Sequence, residues 1–311
     1  MNIVFFSSSQ FGLCFLEYLF LKRKDNLFVI TGLDKPKGRG LKILANPIKD
    51  FCLKNNLNFF QFGNINSSEA KEKIKSVNPD LFIVIAFGQI FSPELLKIPR
   101  IFCINVHASL LPKYRGAAPI NWAIIKGEKK TGISIIKMEE KMDAGAIILQ
   151  KEIEISIDDN ALTLEKKLID LGKPLLIEAI ERIENNNFSL IPQSQDNVSF
   201  APKLKKEDGL IDWNKDALSI YNLIRGCFGW PSAFTYFKGK LLKIHKAEYL
   251  MDKEIKNINP GEILEVSKKG ILVSCGRGSI LIKELQLESK RKMNVEEFIR
   301  GHKIEAKERL G

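Results

Sequence analysis

Cysteine and histidine are scarce in this chain of 311 residues, which has five of the first and three of the second. Cys14, Cys52, Cys103, Cys227 and Cys275 stand far apart with no C-x-x-C pair. That spacing argues against a cysteine zinc site and suggests no disulfide framework, as expected in a reducing cytosol. Long apolar runs are missing as well. No stretch of about 20 residues is both apolar and free of charge, so no membrane span is expected. The early run "FGLCFLEYLFLKRK" is interrupted by Glu17 and carries its charges after the apolar part, the wrong order for a signal peptide. No G-x-G-x-x-G or G-x-x-x-x-G-K-[ST] follows a strand-like run, which removes support for a dinucleotide site or a P-loop. No G-x-S-x-G elbow is present either, and no repeat or low-complexity tract.

What the chain does have is bulk and positive charge. With 45% hydrophobic and 27% charged residues it can bury two moderate cores, so two domains are expected. The net charge of +11 is uneven. Residues 1 to 200 hold 26 Lys/Arg against 22 Asp/Glu, and residues 201 to 311 hold 22 against 15, so the shorter part is the more basic (+7 against +4). Such a part suits a polyanion such as nucleic acid, although drift in a chain rich in Lys, Asn and Ile accounts for it equally well. No exposed apolar stripe is evident, and a monomer is expected.

Up to about residue 150 short apolar runs ("NIVFF", "LFVIT", "NFFQF", "DLFIVIAF", "FCINVH") alternate with helical patterns. This predicts an α/β, doubly wound, mainly parallel sheet, its central runs continuous because both faces are covered. "TGISIIKM" and "GAIILQKEIEI" follow as a hairpin around the charged "EEKMDAG". A helix from Leu162 to Asn187 comes next, with Leu164, Leu168, Leu171, Leu175 and Ile177 near one side. The polar stretch after it, with two prolines, reads as a linker. Beyond residue 208 one helix near Ala217 to Arg225 precedes several short strands, the pattern of a small barrel or sandwich. The expected boundaries are 1–188 for the first domain, 189–208 for the linker and 209–311 for the second.

One of the few histidines sits in "INVHASLLPKYRGAAP", residues 104 to 119. Asn105 and His107 are two positions apart, so in a strand they share a face, at the carboxyl end where doubly wound sheets carry their sites. An asparagine amide can donate to a developing oxyanion, and an imidazole can take or give a proton near neutral pH. Pro112 keeps the following loop out of helix, and Gly116 allows close backbone approach. Without a nucleophile elbow, this pair fits direct transfer to a bound nucleophile better than an acyl-enzyme. The histidine needs an orienting carboxylate. Asp143 in "KMDAG" is the attractive candidate, although a turn-forming aspartate is the plainer reading of that position. Trp122 and Trp230 read as packing residues, and His245 and His302 as ordinary strand and surface residues.

Asn105, His107, "SLLPKYRG" and "MDAG" together resemble the folate-dependent formyltransferases, in particular those acting on initiator methionyl-tRNA, and the likeness covers essentially the whole chain. It implies formyl transfer from 10-formyltetrahydrofolate with Asn105, His107 and Asp143 as the catalytic set, no metal, a cytoplasmic enzyme, a Rossmann-like first domain and an OB-like barrel second domain. It also implies folate contacts at Phe87, Gly88, Gln89, Ile90, Ser109, Leu110, Leu111, Pro112, Met138 and Asp143. The charged acceptor, initiator methionyl-tRNA, would meet Lys35, Lys37, Arg39 and Lys42 in the loop "LDKPKGRGLKILANPIK", and Lys203, Lys205 and Lys206. Ser7 to Gln10 replace the family's usual Gly-Thr-Pro turn, Phe87 a tyrosine and Ser232 a glycine. Rival readings are a formyltransferase for a nucleotide-linked amino sugar, one for glycinamide ribonucleotide, and an RNA-binding protein with a silent catalytic domain.

Overall fold

Strand and helix alternate through the first part of the chain: β1 (Asn2–Phe6), α1 (Gln10–Lys22), β2 (Asn26–Thr31), β3 (Lys35–Lys37), β4 (Lys42–Leu44), α2 (Pro47–Lys54), β5 (Asn58–Gln61), α3 (Ser68–Lys75), β6 (Leu81–Val84), α4 (Pro93–Leu96), β7 (Phe102–His107), α5 (Pro119–Ile125), β8 (Lys130–Lys137), β9 (Ile147–Glu154) and α6 (Ala161–Glu184). After a 3-10 turn at Glu207–Gly209 come α7 (Ala217–Gly226), β10 (Ala233–Phe237), β11 (Lys240–Leu250), β12 (Ile263–Ser267), β13 (Gly270–Ser274), β14 (Ser279–Leu287), β15 (Met293–Asn294) and α8 (Val295–Gly301). This computed structural model describes all residues except 38–41, 45 and 252–258, and only the backbone of 35–37 and 42–44.

The chain divides into two units. The first comprises Met1–Gly116, Thr131–Ile153 and Glu165–Phe200, and the second Ala117–Lys130, Glu154–Leu164 and Ala201–Gly311. In the first, seven strands run in the order β5-β2-β1-β6-β7-β8-β9, parallel from β5 to β7, with β8 antiparallel to β7. Ile3 to Phe6 and Leu81 to Val84 are buried throughout, as strands covered on both faces must be. The connections run one way from β1 to β2 and the other way from β6 to β7, so the order reverses between β1 and β6, beside the carboxyl end of β7. The "DLFIVIAF" run stops being strand at Val84. Ala86 (φ 45°) and Gly88 (φ 81°) turn the backbone out of the sheet at its carboxyl edge.

Side-chain oxygens start the helices. Ser9 accepts from Gly12 N at 3.0 Å, and Asn46 from Ile48 N at 3.0 Å with Pro47 in the first turn of α2. Ser7 and Ser8 are also used: Ser7 is buried, and Ser8 Oγ accepts from Gly32 N. On α6 the buried stripe is Leu164, Leu168, Gly172, Leu175, Leu176, Ala179, Ile180 and Ile183. It passes through Gly172 rather than Leu171, because a Cβ there would come within 2.7 Å of the Phe15 ring. Leu171 and Ile177 are only half-buried.

In the second unit an antiparallel sheet runs β10-β11-β14-β13-β12, with β15 on β14. Register shifts between Ile244 and Ala247 interrupt the β11–β14 ladder, as bulges that bend a strand do. Both edge strands meet the end of the chain: Ile263 N donates to Glu308 O, Leu310 N to Gly261 O just before β12, and Gly311 N to Tyr236 O of β10. Ile220 and Ile224 of α7 join Ile271, Val273, Ile280, Ile282 and Phe298 in its core. Trp213 is the buried tryptophan here, its indole donating to Thr235 Oγ1 at 3.0 Å, whereas Trp230, expected to pack, is 55% exposed. Ser232 takes the left-handed backbone (φ 70°) that a glycine adopts at no cost.

The five thiols are free, and four are buried. Burial pushes those of Cys52, Cys227 and Cys275 up to about 12, and that of Cys103 well up too. The thiolate is the reactive form. A thiol reagent should therefore label Cys14 at most in the native protein, and all five after denaturation. Rapid native labelling of two or more would contradict this packing.

Candidate active site

β7 ends at His107, and its period of two turns Asn105 and His107 to the same face. Asp143 reaches them from the loop between β8 and β9, where it holds φ 51°, a conformation that aspartate tolerates better than most residues. Its carboxylate is a hub. Oδ1 accepts from Asn105 Nδ2 at 3.1 Å, and Oδ2 accepts from Gly116 N at 2.8 Å. His107 Nδ1 lies 3.6 Å from the same Oδ2, an ion-pair distance rather than a hydrogen bond, with the two side chains only 6% and 11% exposed. On the other side of the ring, His107 Nε2 is 2.9 Å from Tyr114 O. The imidazole thus lies between a carbonyl and a carboxylate. The structure therefore joins the three residues read from the sequence.

The loop after β7 is held from beneath. Ser134 Oγ donates to Ser109 O at 2.6 Å and accepts from Leu111 N, Gln150 Nε2 donates to Leu111 O at 3.0 Å, and Leu111 packs with Ile136 and Ile147. Further along, Tyr114 N donates to Ser199 Oγ at 2.9 Å and Arg115 N to Ser199 O at 2.9 Å. Two side chains absent from the expected set complete the site. Gln193 Nε2 donates to the carbonyls of Asp143 (2.8 Å) and Gly145 (2.7 Å), and Gln193 Oε1 accepts from Arg115 Nε (3.1 Å) and Nη2 (2.7 Å). Arg115 was visible in the quoted run but suggested no role. Gln193 lies in a polar stretch that gives no signal at all.

The sequence matches the family described as formyl transferase over residues 1–180 and that described as formyl transferase, C-terminal domain, over residues 203–303. A methionyl-tRNA formyltransferase of Acetivibrio thermocellus is 46% identical over 311 residues, covering 100% of both chains. One of Ruminiclostridium cellulolyticum is 42% identical over 311 residues, again 100% of both. The chain belongs to the methionyl-tRNA formyltransferase family. Solved structures at lower identity share its fold. An N-formyltransferase from Helicobacter canadensis, in complex with folinic acid and dTDP-3-aminofucose, matches with TM-score 0.68 at 21% identity over 91% of this chain and 99% of that one. HypX from Aquifex aeolicus, in complex with tetrahydrofolic acid, matches with TM-score 0.62 at 17% identity over 97% of this chain and 47% of that one.

For this methionyl-tRNA formyltransferase family member, the remaining expected contacts fall as follows. Phe87 is buried against Phe6 and Phe91, with Met138 packed on the same cluster. Gln89 turns back to accept from Ile65 N at 2.9 Å, and Ile90 is 69% exposed. Gly88 has nothing within 4 Å of where a Cβ would stand. Ser109 and Leu111 are buried, while Leu110 and Pro112 are half-buried. Lys203, Lys205 and Lys206 are exposed in the second unit. Arg39 lies outside the described residues, as do the side chains of Lys35, Lys37 and Lys42. Among the described residues no group of three or more His, Cys, Asp or Glu could hold a metal ion, and no helix is long and apolar enough to cross a membrane.

Proposed function

We propose that the chain transfers the formyl group of 10-formyltetrahydrofolate to the α-amino group of methionine carried by initiator tRNA, as a monomer in the cytoplasm. The observation that carries this reading is the Asp143 carboxylate joined to Asn105 and to Gly116 N beside His107, at the carboxyl end of β7. The folate supplies a formyl carbon on a nitrogen that leaves as an amine. An α-amino group normally titrates near pH 8, and esterification of the neighbouring carboxyl makes it more acidic, so much of the acceptor is already nucleophilic at neutral pH. The protein's task is then positioning and charge stabilisation.

Each side chain has a derivable part. The Asn105 amide carries two hydrogens, and Asp143 takes one, which leaves the second to donate to the oxyanion. His107, held between Tyr114 O and Asp143, sets a positive charge beside that oxyanion and passes protons. For Nε2 to reach the reacting atoms, its contact with the Tyr114 carbonyl has to yield. Asp143 balances the imidazolium and is itself fixed by the Gly116 amide. The apolar cluster of Phe87 and Met138 offers a surface for a flat heterocycle. The exposed Lys203, Lys205 and Lys206 suit a phosphate backbone, as do Lys35, Lys37, Arg39 and Lys42 of the basic stretch that follows β2 in the sequence.

The direct test offers 10-formyltetrahydrofolate with methionine-charged initiator tRNA, uncharged tRNA or a nucleotide-linked amino sugar as acceptor. Product on the charged tRNA alone is expected. Product on the sugar alone would keep the catalytic set and remove tRNA from the account. In the same assay Arg39→Ala should raise KM for charged tRNA at least about tenfold, the loss of one charge-assisted contact, while KM for the folate changes less than about twofold. Equal effects on both substrates would contradict the loop's assignment.

A further inference from the structure

Gln193 takes no part in the chemistry above, yet it is bonded to the residue on which that chemistry turns. Asp143 sits in a loop whose neighbours Glu139, Glu140, Lys141 and Met142 are exposed, so side-chain packing does little to fix its backbone. Lys137 N to Ala146 O (2.9 Å) closes the loop's neck, and Ala144 N to Lys141 O (3.2 Å) shapes its interior. Met138 N to Cys103 O (2.8 Å) holds the loop's start, and next to Asp143 two further ties come from Gln193, one to the carbonyl of Asp143 itself and one to that of Gly145. A primary amide has two hydrogens, and this one places both on the loop.

The amide cannot turn over. Its oxygen faces the Nε and Nη2 of Arg115, a guanidinium with only donors and 2% exposed. Flipping Gln193 would set donor against donor on one side and oxygen against two carbonyl oxygens on the other. Arg115 in turn follows Tyr114, whose carbonyl contacts His107 and whose amide is held by Ser199. Residues 193–200 thus touch both walls of the site, the Asp143 loop and the loop after β7. They lie in the stretch that reads as a mere linker in the sequence.

We propose that Gln193 is a positioning residue for the Asp143 carboxylate, locked in orientation by the buried Arg115. Glutamate would not substitute for it, because its second oxygen would face the carbonyls of Asp143 and Gly145. The proposal rests on Asp143 being catalytic, as read under Proposed function, and its test separates the two.

Single-turnover formyl transfer and thermal melting are measured for the full chain and for Gln193→Glu, Gln193→Ala, Asp143→Ala and the double Gln193→Ala/Asp143→Ala. Gln193→Glu keeps the side-chain volume and the contact to Arg115, so it carries the test if Gln193→Ala fails to fold. Its rate should fall about 10- to 100-fold, the cost of a displacement of about 1 Å, while KM for each substrate stays within about threefold. In the Asp143→Ala background, loss of Gln193 should cost less than about twofold, because residues acting as one unit are not additive. An unchanged rate in Gln193→Glu, or an undiminished loss in the double variant, overturns the proposal while leaving the site assignment intact. Full turnover in Asp143→Ala overturns both.

Discussion

Replacing His107 with alanine is expected to lower the rate of formyl transfer about 10²- to 10⁴-fold, the range spanned by a positioned acid or base. Binding of the charged tRNA should change little. The ring ends β7 and lies between Tyr114 O and Asp143 Oδ2, so nothing on its own strand can take its place. Truncation leaves Tyr114 O without this partner and Asp143 Oδ2 without the ring beside it, and opens a small void. A stability loss of about 1–3 kcal/mol is therefore expected as well. The two effects separate by temperature. Rates taken well below the melting point report the chemistry, and the melt reports the void. Asn105→Ala should cost about 10²- to 10³-fold, the usual penalty for one oxyanion donor. Substantial turnover in His107→Ala, with the chain folded, would remove His107 from the mechanism and leave the asparagine to stabilise the oxyanion alone.

How far the site was legible depends on how each residue reaches it. Asn105 and His107 share a strand, and a period of two is enough to place them side by side. Asp143 comes from another element 36 positions on. Its residue type and small neighbours made it a candidate, but only the meeting of β7 with β8 turns that candidate into a neighbour. Gln193 and Ser199 lie farther still, in a stretch of polar residues and prolines. Local pattern reads such a stretch as solvated, and nothing in composition says that its amide faces inward. The strands were legible for a different reason, because continuous apolar runs have few other uses. Where the reading overran, at the end of "DLFIVIAF", the chain stays apolar after leaving the sheet: Ile85 and Phe87 remain buried although Ala86 turns between them. Trp230 erred in the opposite sense, since a large ring says nothing about which side of a turn it falls on.

Gly145→Ala is expected to damage the site as severely as a change in a reacting residue, although no reacting atom is touched. An ideal Cβ there would lie 1.7 Å from Lys137 O and 2.9 Å from Lys137 C, both backbone atoms at the end of β8, so no flexible side chain can move aside. The neck of the Asp143 loop would have to spread, against the Lys137 N to Ala146 O bond and the Gln193 bond to Gly145 O. Spreading of about 1 Å misplaces the Asp143 carboxylate and should cost about 10²-fold in rate, with about 1–3 kcal/mol of stability lost to overpacking. Asn105 and His107 keep their strand. Substrate binding should therefore survive better than turnover, which a general collapse of the fold would not allow. Gly301→Ala is the matched control, because nothing lies within 4 Å of its added Cβ and its melt and rate should stay near those of the parent. If Gly145→Ala instead melts and turns over like the parent, the neck is slack, and the Asp143 carboxylate owes its place to Asn105 and the Gly116 amide rather than to the backbone that carries it.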